Sequence, residues 1–178
     1  MRFPRKLSEV TPAQAAGAVA AAVVVGLVLR KMNEPPGLAP SLAIIDELDG
    51  SIQPLAKRLL KRAHSAGIEL VVASGLRSNA EQAALYAQGR TEPGPVVTHA
   101  PPGTSWHNYG LAFDVAVLSG GEETYPRDPD LWQAIGDLGR SVGLGWGGDY
   151  PSGQTDLPHF EYHPGLTIAD AMTGMRPA

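Results

Sequence analysis

The sequence predicts an α+β domain preceded by an N-terminal apolar helix, and three observations carry that expectation. Amphipathic runs with helical spacing recur along the chain, short β-branched or alternating runs fall between them, and the two kinds do not follow the regular βαβ order of a parallel sheet. The 178 residues, 43% of them hydrophobic, suffice for one globular domain with a real core but not comfortably for two. No internal repeat is evident.

The first element is the apolar run from Ala13 to Leu29, whose only polar member is Gln14, preceded by Arg2, Arg5 and Lys6 and closed by Arg30 and Lys31. As a helix it would reach about 25 Å, slightly short of the roughly 30 Å hydrocarbon core of a bilayer. Residues 1–34 are therefore expected to form a marginal signal-anchor or transmembrane segment. No small-residue cleavage pattern follows the run, which favours an uncleaved anchor over an exported, processed chain. The basic residues slightly favour the N-terminal side, so the remainder is expected on the periplasmic or extracytoplasmic side of an inner membrane. A buried, Ala-rich helix of a soluble protein is the competing reading. Pro35, Pro36, Gly37 and Pro40 mark residues 35–41 as a linker, with the domain spanning 42–178.

Within the domain, residues 52–65 place Leu55, Leu59, Leu60 and Ala63 on one face and basic residues largely on the other, with Gly67 as the stop. Ile68 to Ala73 reads as a buried strand ending in the Ser74-Gly75 turn. Ser78-Asn79-Ala80-Glu81 is a capping box opening a helix to about Gln88, with Gly89 beyond it. Arg77 then stands at that helix's N-terminal mouth, where a guanidinium beside free N–H groups can receive a carboxylate or a developing oxyanion; a surface ion pair is the alternative. Residues 90–106, rich in Pro, Gly and Thr, read as a loop. From Leu111 to Leu118 bulky Leu111, Phe113, Val115 and Val117 alternate with Ala112, Asp114 and Ala116, so the Asp114 carboxylate projects among alanines. Asp128-Pro129 opens a last helix carrying Leu131, Ile135, Leu138 and Val142, ended by Gly143.

Composition narrows the chemistry. A formal net charge of -4, with 14 basic against 18 acidic residues and no basic stripe, argues against a nucleic-acid partner. With no cysteine, disulfides, thiolate metal sites and thiol nucleophiles are excluded, and any metal must be held by His, Asp or Glu. Of the histidines at 64, 99, 107, 159 and 163, two are set apart by context. His107 lies in a turn entering the strand that carries Asp114, and the two can converge at its edge. His159, between Pro158 and Phe160 in an extended stretch, is the best candidate for a third ligand. Two His and one carboxylate leave a fourth tetrahedral position open, as catalytic zinc requires.

The run Ser105-Trp106-His107-Asn108-Tyr109-Gly110-Leu111-Ala112-Phe113-Asp114, an SxHxxGxAxD pattern, followed later by Pro158-His159-Phe160, resembles the D-alanyl-D-alanine carboxypeptidase-like zinc peptidases. Gly75-Leu76-Arg77-Ser78, Glu81-Gln82, Leu85 to Thr91, Pro93-Gly94, Val97-Thr98 and Trp146 to Asp149 are similar to the L-alanyl-D-glutamate endopeptidase branch, the phage endolysin type. The resemblance covers about residues 42 to 163. It implies a small central, mostly antiparallel sheet flanked by helices, the Hedgehog/D,D-peptidase arrangement. It also implies zinc (Zn2+) on His107, Asp114 and His159, Asp156 as general base, and Arg77 facing the tetrahedral intermediate. The related carboxypeptidases and some endolysins carry Glu at the Asp156 position, so the shorter Asp must either sit closer or work through a slightly different geometry; Asp149 and Glu161 are the competing carboxylates. Ser105, Trp106, Tyr109 and Trp146 are candidates for substrate contact or for supporting the ligands, although flanking aromatics more often simply pack.

The activity so implied is hydrolysis of peptidoglycan stem peptides at the L-Ala-D-Glu bond by zinc-activated water. A D-Ala-D-Ala carboxypeptidase is the rival among enzymes, and a non-catalytic, zinc-containing wall-binding module the rival of another class. A monomer is expected, in either a host remodelling or a phage lysis role.

Overall fold

The computed structural model describes residues 34–177, and those from Pro35 onward fall in one compact unit. The apolar run and the expected anchor lie outside the described residues; among those described, no helix is long and apolar enough to cross a membrane.

The first helix, α1 (Leu38–Asp46), begins inside the stretch expected to be a linker. Pro40 is accommodated because it lies in the first turn, where backbone N–H groups have no intrahelical acceptor. Gly37 locks this start in place: a Cβ there would lie 1.7 Å from the Leu70 carbonyl oxygen, so only glycine lets the chain press onto the first strand. Buried Ser41 adds a second tie, its Oγ accepting the Val72 N–H at 2.8 Å and donating to the Gly37 carbonyl.

Helix α2 (Gln53–Ser65) buries Leu55, Ala56, Leu59, Leu60 and Ala63, as its periodicity requires, and Gly67 ends it at φ 79°. Strand β1 (Leu70–Ser74) follows, then helix α3 (Asn79–Ala87), capped reciprocally by Ser78 and Glu81. After a long loop come a 3-10 turn (Trp106–Tyr109), strand β2 (Ala112–Ser119) and the short strand β3 (Glu122–Thr124). Asp128 caps helix α4 (Pro129–Ser141) by accepting from Asp130 and Leu131 N–H. Strand β4 (Gly145–Trp146), a 3-10 turn (Gly147–Asp149), strand β5 (His159–Glu161) and helix α5 (Ile168–Met172) complete the chain.

The strands form one antiparallel sheet in the order β1-β2-β5-β4, with β3 extending β2 at its far end. Phe113 and Val115 of β2 and Phe160 of β5 point into a core shared with Ile45, Leu59, Leu60, Trp132 and Ile135 from α1, α2 and α4. The opposite sheet face carries Asp114 and His159, which are direct partners across the β2–β5 pairing. The β1–β2 register slips between Val72 and Ser74, a bulge beside the Asp114 position.

Two glycines of α4 seat the aromatic core. A Cβ on Gly136 would lie 2.4 Å from the Trp146 ring, and one on Gly139 2.1 Å from Phe160 Cε1. Trp146 is 4% exposed and belongs to this core, so its expected place beside the site is corrected: the missing side chains of α4 draw the indole inward. Gly139→Ala should therefore lower unfolding free energy by about 1–3 kcal/mol in urea titrations, through overpacking. Gly50→Ala, whose methyl meets nothing within 4 Å, should stay within about 0.5 kcal/mol of the wild type.

Candidate active site

The 3-10 turn positions the first histidine. Ser105 caps it, accepting the His107 N–H, while Asn108 Oδ1 accepts from Gly103 and Ser105 N–H and its Nδ2 donates to the Arg77 carbonyl at 2.9 Å. The Arg77 N–H in turn donates to the His107 carbonyl at 3.0 Å. These bonds fix the backbone that carries both side chains. Gly110 then reverses the chain into β2 at φ 67°, a conformation that favours glycine.

Three donor atoms converge. His107 Nε2 lies 3.2 Å from His159 Nδ1 and 3.4 Å from Asp114 Oδ1, and His159 Nδ1 lies 3.2 Å from Asp114 Oδ1. Ligands about 2.05 Å from a tetrahedral zinc stand about 3.3 Å apart, which is the edge of this triangle. The donor set of two imidazoles and one carboxylate therefore fits zinc in chemistry and in size.

Each imidazole is held through its other nitrogen. His107 Nδ1 donates to the Gly75 carbonyl at 2.8 Å, supplying the partner that the sequence did not reveal. His159 Nε2 faces Glu161 Oε2 at 3.2 Å, and Glu161 also accepts from the Tyr150 hydroxyl at 2.6 Å and pairs with His163 Nε2 at 3.0 Å. Burial pushes the Asp114 carboxyl up, but hydrogen bonds from His107 and His159 outweigh it and hold Asp114 well below the ordinary carboxylate range. Glu161 is likewise raised by burial and more strongly lowered by His159, His163 and Tyr150, so it remains anionic.

The triangle lies in a cleft of about 910 Å³ whose walls include Arg77, Val96, Val97, Trp106, Tyr125, Tyr150 and Asp156. Asp156 reaches this wall on the loop before β5, its N–H donating to the Gly147 carbonyl at 3.0 Å and its carbonyl accepting from His159 N–H at 3.2 Å. Desolvation in the cleft and the negative charge of Asp114 raise its pKa above the ordinary value. The competing carboxylates sit elsewhere. Asp149 pairs outward with Arg140 at 2.8 Å, and Glu161 stands behind His159.

The Arg77 side chain departs from the expected arrangement at the mouth of α3. The capping box occupies the Ser78 and Glu81 N–H groups, and the guanidinium turns instead to Gln82 Oε1 at 2.9 Å, Ser74 Oγ at 3.3 Å and Asp114 Oδ2 at 3.6 Å. Ser105 and Trp106 line the cleft, Trp106 stacked on His163 with ring centroids 3.9 Å apart. Tyr109 does not line it: its hydroxyl donates to the Gly103 carbonyl at 2.6 Å and steadies the loop.

Sequence reasoning missed the roles of Gln82, Tyr150 and the Glu161–His163 pair. Gln82 is fully buried, and its Nε2 donates to the Ala100 carbonyl at 2.8 Å and to Thr98 Oγ1 at 3.3 Å, tying the loop to Arg77. A signal for the Glu161–His163 pair was present: His159, Glu161 and His163 alternate along an extended stretch and so share a face.

Two imidazoles and a half-buried carboxylate on the open face of a small antiparallel sheet, with a further carboxylate and a guanidinium in the same cleft, define a candidate metal-dependent hydrolase centre. The VanY D-alanyl-D-alanine carboxypeptidase family matches residues 46–164, and the chain belongs to that family of peptidases. The peptidoglycan L-alanyl-D-glutamate endopeptidase CwlK of Bacillus subtilis (strain 168) is 34% identical over 131 residues, covering 69% of this chain and 78% of the relative. The L-alanyl-D-glutamate peptidase of Listeria phage A118 is 27% identical over 124 residues, covering 69% of this chain but only 41% of the phage protein. Among solved structures, the L-Ala D-Glu endopeptidase ChiX of Serratia marcescens aligns with a TM-score of 0.50 at 23% identity, over 73% of this chain and 88% of that one. A zinc complex of the vancomycin-resistance D,D-pentapeptidase VanY aligns with a TM-score of 0.50 at 20% identity, over 71% and 76%. At these identities the structural likenesses are likenesses of fold.

Because Gln82 bridges α3, the loop and Arg77, Gln82→Ala should leave buried groups unpaired and lower stability by about 1–3 kcal/mol in chemical denaturation. Proteolysis of the loop around residues 90–104 should quicken in the same variant.

Proposed function

We propose that this chain is a zinc-dependent peptidoglycan endopeptidase that hydrolyses the L-alanyl-D-glutamate bond of stem peptides. The observation that carries the reading is the His107–Asp114–His159 triangle, whose 3.2–3.4 Å edges suit tetrahedral zinc. The endopeptidase specificity is supported by CwlK, the curated relative matched over most of its own length.

Zinc held there would polarise the scissile carbonyl and bring the pKa of a water toward neutrality. The remaining work falls to the chain. Asp156, exposed to the cleft beside an anionic site that raises its proton affinity, takes the proton of the attacking water and delivers it to the leaving amine. Arg77, partly buried and oriented by Gln82 and Ser74, presents a fixed positive charge where negative charge develops on the carbonyl oxygen. Trp106 and Val97 contribute apolar surface to the walls. Residues 1–34 are assigned as the anchor that holds the domain, as a monomer, on the extracytoplasmic side, where its substrate lies; the sequence pattern supports this.

Mass spectrometry of purified peptidoglycan incubated with the full chain provides the test. Peptides beginning with D-glutamate should appear with zinc, disappear with a chelator and return on adding the metal. Asp156→Ala should abolish them, and Arg77→Ala should slow their release on the order of 100-fold. Release of single D-alanine instead would assign a carboxypeptidase, and zinc binding without any product would assign a wall-binding module.

A further inference from the structure

Glu161 occupies a position that the hydrolytic scheme does not use. It lies on β5 two residues beyond His159, so both side chains leave the same face of the sheet. It is 8% exposed, and a buried carboxylate is costly unless paired. Here three groups meet it: His159 Nε2 at 3.2 Å, the Tyr150 hydroxyl at 2.6 Å and His163 Nε2 at 3.0 Å. The His163 ring is braced in turn by its stack on Trp106, with 10° between the planes. The carboxylate is thus held from the cleft wall as well as from the strand.

The two imidazoles of the triangle present different atoms, His107 its Nε2 and His159 its Nδ1. A neutral imidazole has one N–H, and the acceptor facing one nitrogen decides which nitrogen keeps a free lone pair. For His107 the acceptor is the Gly75 carbonyl; for His159 it is Glu161. We propose that Glu161 is a positioning residue of this centre, its carboxylate keeping the His159 Nε2–H so that, when a metal takes the place of the second proton, Nδ1 is the nitrogen left bare toward His107 Nε2 and Asp114 Oδ1. Without that acceptor, the proton can move to Nδ1, where it faces the other two donor atoms and competes with a metal. The inference rests on the zinc reading of the site.

The test measures zinc affinity of the full chain by chelator competition for the wild type, Glu161→Ala and Glu161→Gln. Proton–nitrogen correlation spectra of the zinc-loaded wild type then identify the His159 tautomer. Both variants should keep wild-type far-ultraviolet circular dichroism; Glu161→Ala should bind zinc about 10–100-fold more weakly, whereas Glu161→Gln, whose amide oxygen can still accept the Nε2–H, should recover most of that loss. The spectra should show His159 protonated at Nε2 and bound through Nδ1, which a purely packing role for Glu161 does not require. A folded Glu161→Ala variant that binds zinc within about twofold of the wild type, against the expected loss, would overturn the proposal. So would His159 bound through Nε2, a result that decides the matter even if both variants fail to fold. Failure of the wild type itself to bind zinc would sink the metal reading and this inference with it, an outcome distinct from an effect confined to Glu161.

Discussion

Everything in the site depends on the pairing of β2 with β5. Its register sets Ala112 against Glu161, Phe113 against Phe160 and Asp114 against His159, and residues opposed across antiparallel strands share a face. A slip of one residue would exchange the faces, sending His159 into the core and Phe160 into the cleft. What prevents the slip lies on the other side of the sheet. Phe113 and Phe160 stack with centroids 5.9 Å apart in the core, and the absent side chain of Gly139 leaves the space that the Phe160 ring fills. Aromatic packing on one face thus places chemistry on the other.

Electrostatics then gives the open face its character. Asp114, Asp156 and Glu161 gather around two imidazoles, with Arg77 the cation turned toward them. Such an excess of carboxylate is unfavourable unless positive charge answers it. Protonated imidazole is one answer: burial lowers the pKa of His159, but hydrogen bonds to Asp114 and Glu161 outweigh it and push it up to about 9. A divalent cation is the other, and it uses the lone pairs that the protons would otherwise take. The surroundings that raise the proton affinity of His159 are therefore the same that favour a metal.

Much of this was legible in the sequence because it is local. The Ser78–Glu81 and Asp128 caps, the helix stops at Gly67 and Gly143, and the alternation that isolates Asp114 among alanines all involve residues within a few positions of one another. The donor triad was readable because its motif pairs two ligands within one short run. The start of the domain was not: Pro35, Gly37 and Pro40 read as chain breakers, whereas packing of Gly37 against the Leu70 backbone turns that segment into part of the fold. Trp146 and Tyr109 looked like cleft residues because they flank the motifs, yet the glycines of α4 and the Gly103 carbonyl draw them away. The partners of His107 and His159 depend on tertiary contacts, one of them a backbone carbonyl with no side-chain signature.

The placement of Asp156 finds a structural reason in Gly147. A Cβ on Gly147 would lie 2.4 Å from the Asp156 carbonyl oxygen and 2.9 Å from the His159 Cβ, so the loop leading into β5 lies directly on the glycine. The Asp156 N–H to Gly147 carbonyl bond, at 3.0 Å, fastens the same contact. With the backbone drawn in this far, the Asp156 side chain lies on the cleft wall. That short side chain has few rotamers to lose on being ordered beside the triangle. Any residue larger than glycine at 147 would lift the loop, carrying Asp156 outward while straining the strand that holds His159. Loop closure and ligand placement are thus a single mechanical constraint.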